Sequence, residues 1–261
     1  MSTASASTTI RRQLEEASGK PVVLSPAPEL GAFATISLAG PEQQAHILHY
    51  RPAFSADLDY LVAFQCTFGL RSVQSARPFD LSSGLKLEQD IEQLINEHFA
   101  ARGLENTPEA KQQFAMRLKT GLGQQLRSIP ISIRVDKSLL ERFPELAPMQ
   151  RRCIELQLQQ QMQTLGPSVR EVVPQRIYDA SCAMNSAFAK FWAKQWAEPQ
   201  ISLPFVAAGY DQIGESLLTA VNSADSGPDS DRQLVENWAT ILKIEDWFEV
   251  IDRPVSKPAK P

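Results

Sequence analysis

Long apolar runs are missing from this chain of 261 residues, and none of its stretches is long enough to span a bilayer. The opening stretch, MSTASASTTIRRQLEE, has no apolar core of the kind a secretory signal needs, and Glu15 and Glu16 argue against a transit peptide. The expected location is therefore cytoplasmic. Cysteine is scarce as well: Cys66, Cys153 and Cys182 form no CxxC pair. Their odd number favours free thiols over a disulfide framework. The chain has only three histidines, His46, His49 and His98. It has no GxSxG, no GxxxxGK[ST] and no GxGxxG, so the familiar hydrolase and nucleotide-binding signatures are absent. It also lacks an excess of positive charge. A net charge of -4 does not describe a nucleic-acid binder. No tandem repeat is visible.

What is present is enough apolar material for a substantial core, 43% of the residues, in one large or two smaller domains. The most apolar periodic stretch is 60–71, YLVAFQCTFGLR. Leu58, Leu61, Val62, Cys66, Gly69 and Val73 fall at helical spacing, and Tyr60, Phe64 and Phe68 make a neighbouring stripe. Little circumference is left for water, so this helix is expected to be packed on most sides. Ser55 is the expected N-cap, with Asp57 in the first turn. Gly69 permits close approach of another backbone. Two strand-like runs precede the helix, at 34–39 and 46–51, with a short helix expected over 9–17 and residues 1–8 disordered.

The order helix, short strands, apolar helix over residues 8–75 resembles a small zincin metallopeptidase of the ImmA/IrrE kind. Tyr60-x-x-Ala63 leads into the window where that family carries His-Glu-x-x-His, and Gly69 and Arg71 follow it. The resemblance covers about a quarter of the chain. Here the window reads Phe64-Gln65-Cys66-Thr67-Phe68. Two imidazoles one turn apart chelate zinc, and the carboxylate beside them takes a proton from bound water. Phe64 and Phe68 offer no lone pair, and Gln65 cannot act as a base. The resemblance thus implies a degenerate scaffold that has lost its metal site. Ordinary core aromatics at helical spacing are the alternative explanation.

The fold class expected is α+β and predominantly helical. A zincin-like unit over 1–80 would pack against a helical array over 81–252, with a disordered tail at 253–261. A loop is expected over 77–84 and an amphipathic helix over 85–102. Thr107-Pro108 should open another helix that runs to about Leu122. In 124–136, Ile129, Ile131, Ile133 and Val135 alternate with polar residues and Pro130, which predicts an extended segment. Helices are expected over 147–165, 174–197, 210–223 and 231–242. An extended link is expected at 199–208, an exposed loop at 226–230, and a short segment at 247–250. Ala180, Ala183 and Ala187 should allow close helix packing.

Candidate sites follow from these patterns. Arg71, Arg127 and Arg134 can bind an anion or a partner's carboxylate, or pair with local acids. Cys66 and His49 would form a nucleophile and base if the strand packs beside the helix. His98 with Glu97 would seed an atypical metal site. His46 and His49, three apart on a strand, should face opposite sides. The function read from the sequence is a non-catalytic interaction or regulatory protein that binds a protein or peptide, with no cofactor and neither nucleic acid nor membrane as partner. The alternative is a hydrolase using Cys66 or a metal held by His98.

Overall fold

The computed structural model describes residues 5–101 and 107–253. Its first helix, α1 (Ala6–Ser18), starts at Ser5, whose hydroxyl accepts from the Thr8 N–H at 3.3 Å. It ends at Gly19, whose φ of 70° lets its N–H reach the Glu15 carbonyl at 2.8 Å. The helix therefore starts earlier than the expected residue 9. Three short strands follow: β1 (Val22–Pro26), β2 (Ala34–Ser37) and β3 (His46–Tyr50). They form a sheet in the order β1-β3-β2, with β1 parallel and β2 antiparallel to β3. The central apolar helix, α2 (Leu58–Gln74), packs on α1 and on β2 and β3.

Ser55 is not the N-cap of α2. Pro52 opens a 3-10 segment, Pro52–Asp57, and Phe54 kinks it at φ -108° and ψ 21° while its ring packs 4.5 Å from that of Phe33. Asp57 takes the cap position without a side-chain capping bond, because Arg152 occupies its carboxylate.

The remaining chain is a strand, eight helices and a closing strand: β4 (Phe79–Ser83), α3 (Leu85–Ala101), α4 (Pro108–Arg142), α5 (Ala147–Gln163), α6 (Pro167–Val172), α7 (Gln175–Gln195), α8 (Leu203–Ala207), α9 (Asp211–Ser223), α10 (Asp231–Leu242) and β5 (Phe248–Asp252). The fold is α+β and predominantly helical. No helix among the described residues is long and apolar enough to cross a membrane.

Three local expectations are overturned. Residues 124–136 are helical, the middle of the 35-residue α4. Every residue over 129–136 is buried, so the alternation does not separate a wet face from a dry one. Packing by α2, α7 and α10 decides the conformation there. Pro130 forfeits one backbone hydrogen bond inside the helix. Nearby, the Ser132 hydroxyl donates to the Ser128 carbonyl at 2.8 Å. Residues 79–83 form a strand rather than a loop, because β5 pairs with it antiparallel, Phe79 opposite Asp252. Residues 199–208 hold a 3-10 turn and α8, not an extended link, with Phe205 buried in the core.

The expected division near residue 80 falls on β4. One continuous apolar core runs from Ala6 to Trp247 across it. Polar ties cross as well: the Tyr60 hydroxyl donates to Asp136 at 2.9 Å. Of the expected tail, residues 254–261 lie outside the described residues. Arg253 is described, and its N–H donates to the Pro78 carbonyl at 2.8 Å.

Candidate functional site

The aromatic and amide side chains at positions 64, 65 and 68 of α2 serve the packing of the helix. Tyr60, Phe64 and Phe68 form a row, with ring centres 5.9 and 6.4 Å apart. Gln65 has a structural task. The Arg51 N–H donates to the Phe33 carbonyl, so by alternation the Ala34 carbonyl points away from β3. The Gln65 amide donates to it at 2.9 Å. A carboxylate there would set two acceptors against each other.

Cys66 is fully buried, and burial pushes its thiol up to about 12. The charged groups that act on it, Arg11 and Glu15, belong to α1. His49 stands opposite Ser25 and Thr35 in the sheet. No hydrogen bond joins it to Cys66 among the described residues. Cys153 and Cys182 are also buried and free, and burial raises both thiols. His98 is buried with its ring edge-on to Phe99, whereas Glu97 is exposed and accepts from Gln93 at 2.8 Å. The two do not converge. No group of three His, Cys, Asp or Glu residues among those described is placed to hold a metal ion.

His46 is the better-placed histidine. Its Nδ1 accepts the Ala39 N–H at 2.9 Å, so the proton sits on Nε2, 2.8 Å from the Ser18 hydroxyl. Burial, and then Lys20, lower its pKa. It pins the turn after β2 to the end of α1.

Two of the three candidate arginines, Arg71 and Arg134, come together around an acid the sequence reading did not single out. Asp231, buried in the first turn of α10, receives Arg71 through Nε at 2.7 Å and Nη2 at 2.6 Å. Arg134 reaches the same carboxylate through Nη1 at 2.6 Å. Arg71 also donates to the Ser226 and Gly227 carbonyls, so the expected 226–230 loop is tied to α2. Arg71 and Arg134 are thus structural ion-pair partners. Arg127 is different. Its guanidinium lies 5.7 Å from the Phe68 ring and 5.9 Å from that of Phe79. Nε is 3.4 Å from Asp80, close enough for attraction, but it makes no hydrogen bond. Asp80 is already engaged by both Nε and Nη2 of Arg253.

Arg127 faces a cleft of about 550 Å³ between the C-terminal half of α2 and β2 with the chain after it. Ile36, Leu38, Phe68 and Val73 form apolar walls, and Gly69 admits the side chains of Leu38, Leu14 and Ile36 rather than the expected backbone. A Cβ at Gly69 would come within 3.0 Å of Leu38 Cδ2. Lys20, Arg127 and Arg253 supply three cations to the lining, and no carboxylate among the described residues lines it. Lys20 Nζ bridges the Gly40 and Gln43 carbonyls at 2.5 and 2.9 Å. Sequence reasoning found Arg127 and Phe68 but missed Lys20, Arg253, Asp80 and Asp231. Arg253 pairs with Asp80 across 173 positions, and no local pattern announces such a contact. Comparison with protein-family models, with curated proteins and with solved structures finds no match for the chain.

Proposed function

We propose that this protein is a non-catalytic binding protein, built on a degenerate metallopeptidase-like scaffold, whose cleft between α2 and β2 takes an extended segment of a partner protein or peptide. The observation that carries the reading is the cleft's construction. One wall is β2, an edge strand in the order β1-β3-β2. By alternation from Phe33, Ile36 turns its N–H and C=O away from β3. An outward edge offers main-chain hydrogen bonds to an added strand, while pockets beside it select side chains. The other wall is the helix whose Phe64, Gln65 and Phe68 serve packing instead of metal chemistry. The raised thiol and full burial of Cys66 weigh against a nucleophile there. With this reading go a cytoplasmic place of action and a protein partner rather than nucleic acid.

The test is to select peptides from a random display library on the full-length protein, then map the tightest binder by amide chemical shifts. Shifts concentrated in 34–41 and 68–73 are expected. Failure to select any peptide, or shifts confined to another face, would refute the reading.

A further inference from the structure

We infer that the end of the cleft formed by Arg127 and Arg253 is an anion subsite, so that the segment bound there carries an aspartate or glutamate side chain on an otherwise apolar stretch. This rests on the peptide-binding reading above and adds the chemistry of the ligand to it.

The charge balance of the cleft is the first argument. The chain as a whole is acidic, at -4, yet three cations and no carboxylate of the described residues line this cavity. Behind the lining, Asp80 is shared by Arg127 and Arg253, so one carboxylate faces two guanidinium groups. His46, in the same wall, adds no acid. The second argument is the unequal sharing. Arg253 takes both Asp80 oxygens in a two-pronged pair, and Arg127 is left at 3.4 Å with a buried Nε that donates to nothing. A carboxylate arriving through the cleft would supply the Arg127 guanidinium with the counter-charge that Asp80 gives mainly to Arg253. Burial lowers the pKa of Arg127; Asp80 and Asp231 oppose it only in part, and Arg253 adds to the lowering.

The third argument separates Arg127 from its neighbours. Arg71 and Arg134 both donate to Asp231, a structural use that Arg127 lacks, although Arg134 Nη2 is also left without a partner among the described residues. The apolar walls, Ile36, Leu38, Phe68 and Val73, favour a ligand with apolar surface on either side of its charge over a small inorganic anion. Charge assistance should make binding salt-sensitive, since part of the cleft is open to solvent.

The experiment is a double-mutant cycle on the full-length protein. Peptides selected from the random library are titrated against wild type and Arg253→Gln, each peptide also with its acid changed to the amide. Arg253 is half-buried at the end of the described chain, and an unchanged melting curve confirms that the variant folds. Acid-enriched selected peptides are expected, with Arg253→Gln and the peptide's Glu→Gln each weakening binding about tenfold but not multiplying when combined. Peptides that map to the cleft without acid enrichment, and that bind Arg253→Gln and wild type alike, would overturn the anion subsite while leaving the peptide reading standing. If no peptide is selected, the peptide reading fails and the subsite fails with it. If Arg253→Gln does not fold, the Glu→Gln peptide on wild type still decides: no loss of affinity overturns the inference.

Discussion

Asp136 sits in an environment that its charged form disfavours. It is 1% exposed, and one oxygen accepts from Tyr60 at 2.9 Å and Gln150 at 2.8 Å while the other has no partner. Burial raises its pKa to about 7 against the pull of those two donors. A carboxyl with a folded pKa above its unfolded value of about 3.9 binds its proton more tightly in the native state. Its contribution is therefore present at acid pH and is lost as pH rises toward 7, by at most about 1.4 kcal/mol per pH unit. His46 has the opposite sign: its folded pKa is lowered, so its contribution is present above about pH 6.5 and is lost as pH falls. Asp136→Asn keeps the acceptor for Tyr60 and Gln150 and removes the titration. The variant should be more stable than wild type at pH 8, with a more positive slope of stability between pH 5 and 7. Urea unfolding at both ends of that range checks it, and parallel curves for the two proteins would count against the assignment. Neither behaviour was legible in the sequence. Asp136 lies 76 positions from Tyr60, and within its own stretch it passed for the polar member of an alternating pattern.

At the scale of elements, the start of α4 and the apolar stripes were legible, whereas the starts of α1 and α2 and the contact distances were not. Thr107-Pro108 announced α4, and the Thr107 hydroxyl does accept the Ala110 N–H at 3.3 Å. The alternation of Ile129, Ile131, Ile133 and Val135 misled because burial on every side erases the difference between a period of two and a helical one. The small residues of α7 were read correctly as a close-packing surface. Gly214 of α9 meets it at Ser186 and Ala187, where a Cβ would stand 2.4 Å from Ser186 Oγ and 3.3 Å from the Ala187 nitrogen. Gly214→Ala should therefore lose about 1–3 kcal/mol despite the better helix propensity of alanine. Gly121, exposed inside α4 with nothing within 4 Å of its would-be Cβ, is the matched control. Gly121→Ala should gain about 1 kcal/mol, since only propensity changes. Denaturation midpoints of the pair test the crossing of α7 and α9 directly; equal shifts in the same direction would show that the helices have room to spare.

Across the whole molecule, Asp231 joins α2, α4 and α10 by accepting two arginines. Asp231→Asn would leave those cations in a buried site with one negative charge fewer. It should cost about 3–5 kcal/mol. Chemical unfolding measures the loss, and a change below about 1 kcal/mol would place the pairs among weak surface ones. The helical character of the fold was legible, as was the apolar helix at its centre. Half of the candidate cleft was also legible, through Phe68 and Arg127. The other half was not, because Lys20 and Arg253 approach it from the two ends of the chain.

The pairing of β4 with β5 constrains the order of events during folding. Residues 79–83 have no strand partner until 248–252 arrive, and the Asp80–Arg253 pair closes a loop spanning 173 positions. Closing so long a loop costs entropy before any contact returns it, which slows the step. On a ribosome, α1, the small sheet and α2 can meet early, because their contacts are local. The cationic end of the cleft is incomplete until Arg253 has been made, so a nascent chain carries the apolar walls of the site well before it carries the full charge.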